Sequence, residues 1–193
     1  MNKILLCAAL GAATILAANE TKAQGTFTFS GASVTLSTTG AKTSPANGFD
    51  YGLYLGTTAG NISSTPVYTT VGSGFSGAIG AAATITGVAG GTADFFVVKG
   101  WSASLGVTSY EAAVATGNTA AFAGVSPTGF VTLGSGGTST PGALFGTVNN
   151  PGVSVQIGAG SLVLSPIAPV PEPSTIALAG LGIAGFVAAR RRK

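Results

Sequence analysis

Short runs of apolar side chains alternating with hydroxylated ones, broken by glycine and proline, confine most of this chain to β structure. Thr26-Phe27-Thr28-Phe29 and Val34-Thr35-Leu36 alternate in this way. Ser44-Pro45-Ala46-Asn47-Gly48 is a turn cluster, after which Phe49, Tyr51, Leu53 and Leu55 line one face of a strand. Pro66 opens a strand over 67–71, and 83–88 gives a weaker one. Within 94–101, Phe95-Phe96-Val97-Val98 is a continuous apolar run, as suits a central strand packed on both faces. Strand patterns resume at 130–133, 144–148, 153–157 and 162–164. One helix interrupts them. Thr108-Ser109-Tyr110-Glu111 has the pattern of a capping box, Ala112-Ala113-Val114-Ala115 follows, and Gly117 ends the run. No repeat of fixed period is present, which argues against a solenoid. The expectation is an all-β, single β-sandwich-like domain with one short helix.

The two ends are of a different kind. Met1-Asn2-Lys3 precedes an apolar run from Ile4 to Ala18, and Asn19-Glu20-Thr21-Lys22-Ala23 follows. A positive start, an apolar centre and small residues describe a secretory signal peptide over 1–23, cut between Ala23 and Gln24. A retained anchor is the alternative, but the run is shorter than the 17 or so residues of a spanning helix. Cys7, the single cysteine, leaves with this leader, so the mature protein has neither thiol nor disulfide.

At the other end, Pro171-Glu172-Pro173 is stiff and extended, since proline fixes its own φ and restrains its predecessor. Ser174 can cap the helix-competent apolar stretch 176–189, about 21 Å long at 1.5 Å per residue. The hydrocarbon core is about 30 Å thick, so a transmembrane helix here leans on its flanks. Arg190, Arg191, Arg192 and Lys193 suit that role: they face the negative helix end, snorkel, and hold the cytoplasmic side. A buried core helix is the plainer reading of such a short run. The proline break before it and the four cations after it count against that.

The proline-flanked glutamate, the apolar span and the basic cluster together resemble the PEP-CTERM sorting signal of Gram-negative bacteria, over 169–193. The resemblance implies that an exosortase, a membrane-embedded cysteine protease or transpeptidase, recognises Pro171, Glu172 and Pro173 and removes the anchor. Glu172 is the only charge between Glu111 and Arg190, which keeps that strand at the membrane surface. Within 24–168, Val97-Val98-Lys99-Gly100-Trp101-Ser102, Leu105-Gly106 and Ser109-Tyr110-Glu111-Ala112-Ala113, with Phe130-Val131-Thr132-Leu133-Gly134, are similar to stretches common in the bodies of PEP-CTERM proteins. That similarity implies a β-rich body and brings no activity with it.

Charge and composition narrow the chemistry. Between Gln24 and Val170 stand Lys42 and Lys99 against Asp50, Asp94 and Glu111, a net of 2 − 3 = −1. The basic balance of the whole chain therefore belongs to its ends. A nucleic-acid partner needs a basic face, and this body has none. The absence of histidine, and of cysteine after the leader, removes the usual triads and zinc sites. Asp50, Asp94 and Glu111 are the sole acids available for a paired-carboxyl site, and each has a structural reading: turn end, strand start, helix cap. Of two G-x-G-x-x-G matches, 180–185 lies inside the apolar terminal span, and 72–77 is followed by Gly80, Gly87 and β-branched Thr84-Ile85-Thr86, which leave no room for the helix that nucleotide binding requires. Asn61-Ile62-Ser63 fits a glycosylation sequon and reads as a turn. Trp101, with Tyr51, Tyr54, Tyr68 and Tyr110, could form a platform for stacking on a sugar, Trp101 and Tyr110 foremost, with burial in an aromatic core as the alternative.

These readings imply an exported protein that is not an enzyme and carries no metal or cofactor. Its partners are the export machinery, an exosortase and, transiently, the inner membrane, and its destination is the cell surface or extracellular matrix. A structural or interaction role linked to exopolysaccharide comes first. A carbohydrate-binding surface module and a permanently membrane-anchored envelope protein are the alternatives.

Overall fold

A computed structural model of the chain describes residues 24–29, 34–43, 48–71, 82–136, 139–150, 152, 154–158 and 160–170, with Leu181, Ile183 and Arg190. The leader over 1–23, the start of the first turn cluster at 44–47, the glycine-rich stretch 72–77, Pro171-Glu172-Pro173 and Arg191-Arg192-Lys193 lie outside these residues. So does the 176–189 span, apart from Leu181 and Ile183.

The fold is mostly β with one short helix, and its main sheet curls. Its axis is β6 (Ala93–Ser102). One edge of β6 pairs antiparallel with β3 (Phe49–Gly56) along the whole strand, from Phe49 opposite Ser102 to Gly56 opposite Phe95. β3 in turn pairs with β4 (Tyr68–Val71). The other edge is shared. β7 (Phe122–Val125) takes the end near Trp101 and β8 (Gly129–Thr132) the end near Ala93.

β7 and β8 are one strand interrupted at Ser126-Pro127-Thr128. Proline has no N–H to give the ladder, and the register slips by one residue across it. The gap is closed by a side chain. Ser126 Oγ accepts the N–H of Val98 at 2.9 Å, and the N–H of Ser126 donates to the Val98 carbonyl, also at 2.9 Å.

Beyond β7 lie β12 (Leu162–Pro166) and, parallel to it, β2 (Val34–Leu36). Beyond β8 lie the short β11 (Ser154–Val155) and β10 (Asn149–Asn150). A separate three-stranded sheet runs in the order β5 (Ala83–Ala89), β1 (Gln24–Thr28), β9 (Gly142–Ala143).

Strand alternation then sorts side chains to two cores. Tyr51, Leu53 and Leu55 of β3, with Phe96 and Val98 of β6, meet Phe27 and Ile85 of the three-stranded sheet in the larger core. The opposite face of β6 carries Trp101 into a smaller cluster with Ala113, Ala121, Ala123 and Ile167. The helix α1 (Tyr110–Ala115) supplies Ala113 to that face. β6 is thus paired on both edges and covered on both faces.

Two sequence expectations need correction, and one strand goes unannounced. Residues 144–148 are not a strand: Leu144 and Phe145 are buried core residues, held by one bond from Leu144 N–H to the Thr28 carbonyl and one bridge from Phe145 to Ile157. β7 is a strand that the residue pattern does not announce. The helix cap sits one residue later than the capping-box pattern places it, with consequences described next.

Candidate functional site

Two places in the fold bear on function: the seat of the segment entering the 169–193 stretch, and the charged cluster under the helix.

The seat is built by β12 and by the turn that follows α1. Ile167 comes directly after β12, is 4% exposed, and packs in the smaller core with Trp101. Its N–H donates to the carbonyl of Ala121 at 2.9 Å. After it, Ala168, Pro169 and Val170 are exposed, yet Val170 still lies against the body. A Cβ placed on Gly117 would stand 3.0 Å from the backbone nitrogen of Val170 and 3.3 Å from its Cγ2. Gly117 also has φ +61°, in the left-handed region that stops the helix. One glycine therefore ends α1 and admits the departing chain. Contact with the body runs to the residue immediately before Pro171.

Leu181, Ile183 and Arg190 are helical and exposed. Among the described residues no helix is long and apolar enough to cross a membrane.

The second place starts from the helix cap. Ser109, not Thr108, is the N-cap, and its hydroxyl accepts the N–H of Ala112 at 3.2 Å. This moves Glu111 to the second helical position, too early to reach back to the cap. Its carboxylate turns instead to the sheet. It pairs with Lys99 Nζ and accepts the Tyr54 hydroxyl at 3.1 Å. Tyr54 in turn accepts the N–H of Tyr110 at 3.1 Å. Lys99 Nζ lies 4.1 Å from the centroid of the Tyr54 ring and 5.3 Å from that of Tyr110, within cation–π range. Burial, with the Glu111 charge beside it, raises the Tyr54 phenol well above its ordinary value, and burial raises Tyr110 as well. The Lys99 ammonium, the Glu111 carboxylate and the Tyr54 hydroxyl are each answered within the cluster. Its chemistry is that of a clamp holding α1 onto β3 and β6, and the sequence conceals it because Lys99 and Glu111 look unrelated along the chain.

Trp101 is 1% exposed, and its indole N–H donates to the Val107 carbonyl at 3.2 Å. Aromatic side chains bury roughly 150–250 Å², so at about 25 cal/mol/Å² this burial favours folding by about 4–6 kcal/mol. It leaves no ring face for a ligand. Tyr110 is partly exposed, and its ring is turned to Lys99. Tyr110 packs against the cluster that holds Trp101, but with Trp101 buried the two rings make no exposed platform.

Asp50 and Asp94 stand near opposite ends of the β6 register, Asp50 opposite Trp101. Seven residues of strand separate the two positions, about 23 Å, well beyond the 5–9.5 Å or so of a paired-carboxyl site. Among the described residues no three acids come together as a metal-holding group.

Residues 169–193 match the model of the PEP-CTERM protein-sorting motif. No curated protein and no solved structure matches the chain.

Proposed function

We propose that this chain, which carries a PEP-CTERM sorting motif, is an exported protein that is anchored in the inner membrane through 176–189 and then processed by an exosortase at Pro171-Glu172-Pro173. The observation that carries the reading is the match over 169–193. Residues 24–168 form the exported, single β-sandwich-like domain, and its role is structural or interactive, linked to exopolysaccharide at the cell surface or in the matrix. No catalytic role is assigned to it.

Two features of the fold support this division. β1 begins at Gln24, which is exposed, so a cut after Ala23 leaves the new terminus at the open start of a strand. At the far end, Ile167 is the last buried residue before the motif. Among the described residues, both cores are built between Phe27 and Ile167. Glu172, held between two prolines, is the recognition charge, and Arg190, Arg191, Arg192 and Lys193 are the stop that keeps the span in the membrane.

Mass spectrometry of the native protein at both ends, paired with its fractionation, tests the reading. The expected species starts at Gln24 and lacks the residues after the Pro-Glu-Pro strand. A surface-exposed species retaining 1–23 or 174–193 contradicts export processing in the first case and exosortase processing in the second.

A further inference from the structure

A groove of about 630 Å³ opens where three segments converge: the β3–β4 connection and β4 (Ser64, Thr65, Thr69), the outward face of β5 (Thr84, Thr86), and the turn before α1 (Thr108). Eight of its ten lining residues carry a hydroxyl, and none carries a charge. Its volume falls within the roughly 300–1,000 Å³ of small-molecule sites.

The walls are built by strand alternation. Ile85 is fully buried in the larger core, so Thr84 and Thr86 point the other way, both exposed. Within the described residues, the side-chain hydroxyls of Thr69, Thr84, Thr86 and Thr108 make no hydrogen bond to protein. Tyr68 brings a partly exposed ring into the lining. Its edge-to-face contact with Phe27, centroids 5.2 Å apart, holds it in place.

This lining selects by chemistry. A phosphate or carboxylate ligand calls for a cation or a nest of backbone amides, and a cationic ligand for a carboxylate or an aromatic cage. An apolar ligand would strip water from hydroxyls and give nothing back. Hydroxyls both donate and accept, so they pair best with a ligand that also does both. An ordered ring beside them suits the C–H face of a sugar. We propose that this groove is a binding site for a neutral glycan. The site is distinct from Trp101 and Tyr110, and it stands whether or not the terminal motif is cleaved.

Titration calorimetry on the purified full-length protein tests it, with cellohexaose, maltohexaose and mannohexaose as neutral probes and hexagalacturonate as the anionic control. At least one neutral probe is expected to bind saturably, with an affinity unchanged by added salt. Thr84→Val with Thr86→Val keeps shape and β-branching on an exposed strand, and is expected to weaken that binding by about tenfold or more. Thr58→Val, in a turn outside the groove, leaves it unchanged. Failure of all three neutral probes to bind, tighter binding of hexagalacturonate, or full affinity in the Thr84/Thr86 variant overturns the proposal.

Discussion

The backbone N–H of Ile167 donates to the carbonyl of Ala121 at 2.9 Å, and the Ile167 side chain is buried beside Trp101. The last buried residue before the terminal motif thus stands four positions before Pro171. Ile167→Ala removes buried methyl groups and leaves a cavity, a change that costs about 2–5 kcal/mol in well-packed cores. Because Trp101 is the sole tryptophan, its fluorescence reports this cluster directly. The variant is expected to unfold at lower urea and to show a red-shifted native emission. Unchanged unfolding with an unchanged spectrum would show that the tail is not seated there.

The clamp under α1 makes a second expectation. Glu111→Gln keeps an acceptor for Tyr54 but leaves the Lys99 ammonium, whose side chain is only 14% exposed, facing two rings without its carboxylate. Stranding one partner of a partly buried pair costs more than removing both. Glu111→Gln is therefore expected to destabilise by about 1–3 kcal/mol, and adding Lys99→Met to recover part of the loss, a coupling that a double-mutant cycle by urea denaturation measures. Additive effects of the two changes would mean that the pair is not coupled.

Alkaline pH should act on two buried phenols. Burial raises Tyr51 to about 12, and it raises Tyr54 further. The Tyr51 hydroxyl is bonded to Thr43 Oγ1 at 2.9 Å. In the unfolded chain both titrate near 10, so above that pH the unfolded state releases protons that the folded state keeps. Stability is then present below about pH 10 and lost as the pH rises toward the folded values. Denaturant midpoints measured from pH 8 to 12 should fall only above pH 10, and Tyr51→Phe should make that fall shallower. A midpoint flat to pH 12 would contradict the burial of both hydroxyls.

Much of this architecture is legible from side-chain period alone. Phe49, Tyr51, Leu53 and Leu55 all enter the larger core as their alternation requires, and Gly117 stops the helix as its position predicts. β7 is not legible because its central residues, Ala123 and Gly124, are chosen for size rather than strand propensity. A Cβ on Gly124 would come within 2.1 Å of the Val163 carbonyl oxygen, so only glycine lets β12 lie beside β7. Along the sequence a local capping-box pattern accounts for Glu111. Its true partner, Lys99, is twelve residues away on β6 and is revealed only by pairing of the elements. The groove is hidden for the same reason, since Thr69, Thr84 and Thr108 share nothing along the chain.

Glu172 is proposed as the charge at which the terminal stretch is read as a sorting signal. Fractionating cells that express Glu172→Gln, and blotting each fraction against the body, tests it most directly. The substitution removes the charge and leaves both flanking prolines in place. The account predicts that uncleaved precursor accumulates in the membrane fraction, with export unchanged. Processing and localisation identical to the unsubstituted protein would contradict it.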